Sequence, residues 1–238
     1  MNTRNIFLTA AWKNLVMANY RIDPSLLLPF VPTGTELDTW QDDYYISLVG
    51  FMFEQVRLKG MRIPFHENFP EVNLRFYVRY KDEGTFKRGV VFISEIVPKP
   101  AISALANILY KEHYRTMPMR HSLRYEGDQI LLDYQWKKQD WNNILVKASS
   151  KATALAAQSA EEFITEHFWG YARKTNDRTV EYHVSHPRWD IHPVISYQID
   201  CDFAGLYGKS FGFLREQDPH SVFLAAGSAV KIFDRRIL

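Results

Sequence analysis

Apolar and polar positions along most of the chain alternate with a period of two. They form short runs rich in β-branched and aromatic residues, separated by polar turns, which predicts strands. The first run, Trp12–Tyr20, is closed by Asp23-Pro24. There Asp23 caps a short helix with Pro24 in its first position and Leu26, Leu27 and Leu28 inside it, ended by Pro29 and Pro32. Tyr44–Leu58 is a second strand, apolar on both faces around Ser47–Phe53, the pattern of a central position. Val72–Tyr80 and Gly89–Val97 read as partners joined by the polar stretch Lys81–Arg88.

After Pro100 the period changes. Ala101, Ala104, Leu105, Ile108 and Leu109 follow helical spacing over Ala101–Glu112. Tyr114–Tyr125 then meets Ile130–Trp136 across Glu126–Gln129 as a hairpin, with Pro118 marking a bulge or an edge. Lys147–Gln158, small and polar, reads as a loop or weak helix. Ser159 and Glu162 open a capping box and a helix to about Phe168. The remaining residues return to strands, with Asn176-Asp177 and Gly227-Ser228 as turns. Helices do not alternate regularly with strands, which argues against doubly wound and TIM-barrel folds. The expected architecture is mainly β (α+β): a closed or strongly curved antiparallel sheet with two or three short helices, formed by residues 1–238 as a single domain. Such sheets commonly enclose a small ligand.

Composition narrows the function classes. Of 238 residues, 46% are apolar, and Lys+Arg 29 against Asp+Glu 27 leaves a net charge of +2. Without a basic block, nucleic acid is not an expected partner. The longest uncharged apolar run, Tyr44–Phe53, is too short to cross a bilayer, so no membrane partner is expected either. The stretch Met1–Trp12 has no convincing leader pattern and reads as mature protein. A single cysteine, Cys201, excludes an internal disulfide framework and fits a reducing, cytoplasmic setting.

Several motifs have plain explanations. Gly208-Lys209-Ser210-Phe211-Gly212 matches a nucleophile elbow in letters only. The strand–helix context is missing and Asp218 and His220 lie too close for a triad, so a tight glycine turn is the better reading. A phosphate loop would need glycine where Phe203 stands. His183, His186 and His192 with Asp190 form the densest histidine cluster, but residues three apart on a strand diverge, and no metal is expected.

Two segments carry more chemistry. In Glu71–Arg79, alternation puts Val72, Leu74, Phe76 and Val78 on one face and Glu71, Asn73, Arg75, Tyr77 and Arg79 on the other. The plain reading gives the polar face to water. The sharper one lines a wet cavity with it, where Glu71 and Arg75 orient a ligand. In Tyr114–His121, Arg115, Met117, Met119 and His121 share a face; methionines adapt to irregular ligands or fill a core, and a guanidinium suits a carboxylate.

An ordered set of residues then carries a family resemblance along essentially the whole chain. It comprises Tyr20-Arg21-Ile22-Asp23-Pro24, the leucine-rich turn to Val31-Pro32, Ser47-Leu48-Val49 and Phe69-Pro70-Glu71-Val72-Asn73-Leu74-Arg75. The helix and strand of 101–121, Phe163-Ile164-Thr165-Glu166-His167 and Ala226-Gly227-Ser228 follow. The chain resembles the YqjF-like family of uncharacterised bacterial proteins, which is similar in fold to acetoacetate decarboxylase. The resemblance implies an antiparallel, cone-shaped β-barrel around a small-acid pocket, and assembly into a homo-oligomer. The decarboxylase uses a lysine Schiff base. The resemblance places Arg115 and Thr116 at its lysine pair, Met52 at an acidic pocket residue and Lys13 at an arginine of the first strand, while Glu71 survives. Neither arginine nor threonine forms the imine, so decarboxylase activity is not expected.

Three functions follow as expectations. The first is a cofactor-free binder of a small organic acid or carbonyl compound, held by Lys13, Asn73, Arg75, Arg115, Thr116 and His121 beside Glu71. The second is an enzyme acting on a small keto acid with Glu71 as general acid or base, and with Lys13 or Lys147 as a relocated amine. The third is a structural or interaction protein whose barrel is filled by side chains.

Overall fold

The computed structural model describes residues 5–238; the first four residues of the N-terminal stretch read above lie outside them. In chain order, β1 (Ile6–Arg21) leads to α1 (Pro24–Leu27), whose Asp23 cap accepts the Ser25 N–H as the sequence predicts. Next come β2 (Thr35–Leu37), β3 (Tyr45–Leu58), β4 (Met61–Arg62), β5 (Phe69–Asp82) and β6 (Thr85–Val97). The helix α2 (Pro100–Tyr110) follows, then β7 (Tyr114–Thr116), β8 (Met119–Glu126), β9 (Gln129–Lys137) and β10 (Trp141–Ser149). After α3 (Ala160–Thr165) come β11 (Trp169–Arg173), β12 (Thr179–Ser185), β13 (Ile191–Asp200), α4 (Phe203–Tyr207), β14 (Ser221–Phe233) and β15 (Arg236–Ile237). Among the described residues no helix is long and apolar enough to cross a membrane.

Seven strands form a closed ring. β14, β1, β3, β5 and β6 pair antiparallel in that order. β6 joins β11 through a short parallel seam, Trp169 with Gly89 and Gly170 with Val90. β11 pairs with β12, and β12 returns to β14 through Val184–Ile232 and Ser185–Lys231. A second layer, β13-β10-β9-β8, continues from β14 and folds over the outside of the ring.

This arrangement explains why β3 is apolar on both faces. Ile46, Leu48 and Met52 pack outward with Leu74 and Phe76 of β5 against Leu132, Tyr134 and Trp136 of β9. Val49, Phe51 and Phe53 point into the ring with Leu15, Met17, Tyr77 and Phe163. The interlayer fit is close enough that Gly50 is required: a Cβ there would come within 2.9 Å of the Tyr134 ring.

Some expectations change. Lys147–Ser149 ends strand β10 instead of starting a loop, because the strand's inward residues Ile144, Val146 and Ala148 complete the outer core. The glycine turn at 208–212 is instead the exit of α4 into a 3-10 segment, Lys209–Arg215, with Gly208 at φ 112° as the pivot. Gly227-Ser228 is not a turn but lies inside β14, in unbroken register with Lys13 and Trp12, and Gly227 at φ 77° lies against the Trp12 carbonyl and leaves no room for a Cβ. Half of the capping box forms: Ser159 Oγ accepts the Glu162 N–H at 3.1 Å, while the Glu162 carboxylate accepts from Gln158 N rather than Ser159 N. Ser159→Ala therefore lowers stability by about 1 kcal/mol, measurable by urea denaturation.

Candidate functional site

Strand register brings the polar side chains of β5 to one place. Glu71, Asn73 and Arg75 pair with the inward-facing Phe51, Val49 and Ser47 of β3, so they too point into the ring. The plain reading that gave this face to water is thereby replaced: Glu71 and Asn73 are each only 2% exposed. On the other side Asn73 pairs with Glu95 of β6, and Glu95 pairs with Tyr114 of β7. A register shift between Leu74 and Arg75 places Phe92 and Glu95 on the same inner face although they are three residues apart.

Two sets of hydrogen bonds build the site. Tyr114 OH donates to Glu71 Oε2 at 2.9 Å and Asn73 Nδ2 donates to Glu71 Oε1 at 3.0 Å. Asn107 of α2 clamps the Tyr114 backbone in both directions, accepting its N–H at 2.8 Å and donating to its carbonyl at 3.0 Å. Glu112 follows α2 after Lys111, whose left-handed φ of 60° ends the helix, and accepts from Tyr182 OH at 2.8 Å.

Three buried carboxyls thus lie near enough for their charges to act on one another, Glu71 and Glu95 on the ring cavity and Glu112 under α2. Burial pushes Glu71 up to about 7, against hydrogen bonds from Asn73 and Tyr114 and the nearby Arg75 charge. Burial, aided by the Glu71 charge, lifts Glu112 to about 8. Burial and the charges of Glu112 and Glu71 hold Glu95 well above the ordinary carboxylate range. At neutral pH these groups hold protons they can donate or lose.

Beside them lies a cavity of about 70 Å³, against the ~10–15 Å³ that one water needs. All seven ring strands contribute to its wall, among them Trp12, Phe51, Arg75, Phe92, Gly170, Tyr182 and Ile232. Aromatic side chains fill much of the interior but leave this space. Five buried polar atoms of its lining residues have no hydrogen-bond partner among the described residues: Trp12 Nε1, Asn73 Oδ1, Arg75 Nε, Glu95 Oε2 and His167 Nδ1. A second, more apolar cavity of about 100 Å³ lies under α2 and shares Phe53, Glu95, Tyr114, Tyr182 and Ile232 with the first.

The structure brings together Glu71, Asn73 and Arg75 and leaves the other sequence candidates elsewhere. Lys13 pairs with Met52, an outward residue, so it faces away from the cavity. The left-handed Asn14 (φ 54°) bulges β1 and puts Trp12 in the inward place. Met52 itself belongs to the outer layer, and Lys147 lies on β10. Arg115 also faces outward, donating to the Leu206 carbonyl at 2.8 Å. Thr116 bonds Ser103 at 2.9 Å, and His121 is exposed on β8 with its ring 6.2 Å from that of Tyr134. The expected meeting of positions near 71 and 115 is instead made by Tyr114, one residue away from Arg115. His183 stacks on Phe233, His186 stacks on Trp189 at the cavity wall, and His192 bonds the Ser149 carbonyl.

Sequence reasoning missed Glu95, Glu112, Tyr114, Tyr182 and His167. A glutamate inside the apolar strand run Gly89–Val97 was the one signal that pointed to a buried acid.

Comparison with known proteins agrees with this architecture. The chain is similar in structure to the enduracididine biosynthesis enzyme MppR complexed with pyruvate, with a TM-score of 0.68 and 14% identity, over 100% of this chain and 91% of that one. It is similar to an acetoacetate decarboxylase from Legionella pneumophila subsp. pneumophila str. Philadelphia 1, with a TM-score of 0.63 and 14% identity, over 100% and 90% of the two chains. A third likeness is to an acetoacetate decarboxylase-like enzyme from Sphingomonas wittichii RW1, with a TM-score of 0.67 and 10% identity, over 98% and 94%. Identities this low show the fold alone, and the expected decarboxylase-like architecture is present. In sequence the chain is 38% identical over 84 residues to the uncharacterized protein YqjF of Bacillus subtilis (strain 168). That match spans 35% of this chain and about a third, 33%, of the relative. The DUF2071 model, described as an uncharacterized conserved protein, matches residues 9–229, and the chain belongs to that family.

Proposed function

We propose that the ring cavity binds a small organic acid, with its carboxylate on Arg75 and its carbonyl or hydroxyl oxygen on the acid protons of Glu71 and Glu95. The observation that carries this reading is the gathering of five unpartnered buried polar atoms around one cavity. Buried polar groups are normally paired, and a ligand with oxygens at two ends pairs the donors among these, Trp12 Nε1, Arg75 Nε and protonated Glu95, while Asn73 Oδ1 and His167 Nδ1 remain acceptors. Arg75 has no carboxylate within ion-pair distance among the described residues; its guanidinium donates only to the Met17 sulfur at 3.9 Å and lies over Tyr77. A guanidinium so placed suits an incoming carboxylate. The pyruvate complex of MppR, a structural neighbour, supports a small keto acid in this fold. No lysine lines either cavity, so the reading contains no imine step.

Calorimetric titration with pyruvate and a panel of small keto and hydroxy acids tests it. Arg75→Met, matched in length but uncharged, weakens binding at least ~30-fold, as expected for truncating one partner of a buried charge pair. The neutral amide of the same acid binds the unaltered protein correspondingly weakly. The reading fails if no small acid binds, or if acid and amide bind alike.

A catalytic reading of the same site rests on Glu71, whose carboxyl stands at about 7, where a general acid or base is most effective at neutral pH.

A further inference from the structure

His167 lies just beyond α3 and borders the same cavity as Arg75. Its ring is enclosed by Tyr77, with centroids 4.7 Å apart, and by the edge-on ring of Phe163 at 5.0 Å. Its Nε2 is 3.2 Å from Asp38 Oδ2. Asp38, 5% exposed, is itself fully held: Oδ1 accepts the Thr39 N–H at 3.0 Å and Oδ2 accepts Arg88 Nε at 2.6 Å. Its backbone N–H donates to the Tyr77 carbonyl at 3.0 Å, which ties the loop after β2 to β5.

These contacts determine which nitrogen carries the proton. Burial disfavours ionised Asp38, but hydrogen bonds from His167 and Arg88 outweigh it and hold the carboxyl below its ordinary value. An ionised carboxylate only accepts, so His167 Nε2 must donate. Burial pushes the imidazole down to about 4, against Asp38 and with the help of the Arg88 and Arg75 charges, so the ring is neutral. Nδ1 therefore presents a lone pair, and it has no partner among the described residues. A neutral histidine oriented by a buried aspartate, with its other nitrogen free at a cavity wall, is the arrangement of a general base.

We infer that His167 is the general base of the ring site, positioned by Asp38, and that it removes a proton from the carbon next to the carbonyl of a small keto acid held on Arg75. The inference rests on the binding reading above and adds to it a reaction class, enolisation. The C–H bond breaks and its proton goes to Nδ1. The electron pair becomes the C=C bond of the enolate, and the carbonyl oxygen takes the negative charge under a hydrogen bond from protonated Glu71 or Glu95. Reversal with solvent-derived hydrogen returns the keto acid with an exchanged proton, so no oxidant, reductant or co-substrate is needed. An anion on Arg75 also offsets one of the two cations that oppose a proton on His167, so the base strengthens when the substrate binds.

The test follows the methyl proton signal of pyruvate in D₂O by NMR, with pyruvate binding measured separately by calorimetry. The protein accelerates loss of the signal over buffer, and His167→Gln, which keeps an amide donor for Asp38, lowers that rate at least ~100-fold with pyruvate still bound. Asp38→Asn slows exchange too and shifts the ¹⁵N signature of His167 from a single Nε2–H tautomer to a mixture, a change that loss of packing alone would not produce. In the unaltered protein that signature reads Nε2–H, and the reverse tautomer overturns the assignment. Pyruvate that binds without exchange above the buffer rate, or undiminished exchange in His167→Gln, overturns the inference and leaves the binding reading standing. Absence of binding by any acid of the panel removes the binding reading, and this inference with it.

Discussion

Between about pH 6.5 and 8 the folded chain loses stability, by roughly 2–4 kcal/mol, which for a protein of this length lowers the melting temperature by ~5–12 °C. The cause is the trio of buried carboxyls. Unfolded, they titrate near 4.5; folded, Glu71 stands at about 7, Glu112 at about 8 and Glu95 well above the ordinary carboxylate range. Over this interval the native state holds more protons than the unfolded chain, so raising the pH favours unfolding. Their contribution is complete below 4.5 and disappears as the pH passes through the folded values. His167 and His186, whose folded values are lowered from 6.5, act in the opposite sense, but only below 6.5, which is why the interval starts there. Calorimetric melts at pH 6.5, 7, 7.5 and 8 at constant ionic strength give the slope. Glu112→Gln keeps an acceptor for Tyr182 and flattens it. A melting temperature that is constant or rises over this range would show that the carboxyls are ionised in the native state.

Gly170→Ala destabilises the fold by ~3–5 kcal/mol. Gly170 pairs with Tyr182 across β11 and β12, and a Cβ there would lie 2.0 Å from the Tyr182 Cζ and 2.4 Å from its hydroxyl. The ring crosses the glycine to deliver its hydroxyl to Glu112, so the alanine forces it away. Overpacking of this kind costs ~1–3 kcal/mol, and leaving the buried Glu112 without its donor adds ~1–3 kcal/mol. The same glycine pairs with Val90 in the seam that closes the ring, so the backbone has little freedom to retreat. Urea denaturation at pH 6.5 measures the loss. In a Tyr182→Leu background the alanine costs under ~1 kcal/mol, because the clash has gone. A full penalty in that background would place the strain in the backbone and not in the ring.

Much of the fold was legible because its signals are local. The double-faced apolar pattern of Tyr44–Leu58 marked a strand covered on both sides, and Asp23-Pro24 and Ser159 with Glu162 marked helix starts that the structure contains. The candidate site was legible only on β5, whose alternation runs unbroken through Glu71, Asn73 and Arg75. It failed wherever a strand bulges. An ideal pleat counted back from Met17 puts Lys13 inside with Leu15, but the left-handed Asn14 turns Lys13 out and Trp12 in. The shift opposite Leu74 likewise brings Glu95 beside Phe92. One extra residue inverts every later side chain, and alternation carries no mark of it. The Asp38–His167 pair joins positions far apart in the chain, and no spacing rule reaches that distance.

The two seams that close the ring bear on how anything reaches its interior. β1 and β14 are laced along almost their entire length, whereas the β11–β12 hairpin is stitched to β6 by two residue pairs and to β14 by two more. Parting the wall beside that hairpin breaks fewer ladder bonds than parting it beside β1. On the small-acid reading, exchange of the ligand is therefore expected to run beside this hairpin, and a cross-link from it to β6 would slow exchange without touching Arg75, Glu71 or Glu95.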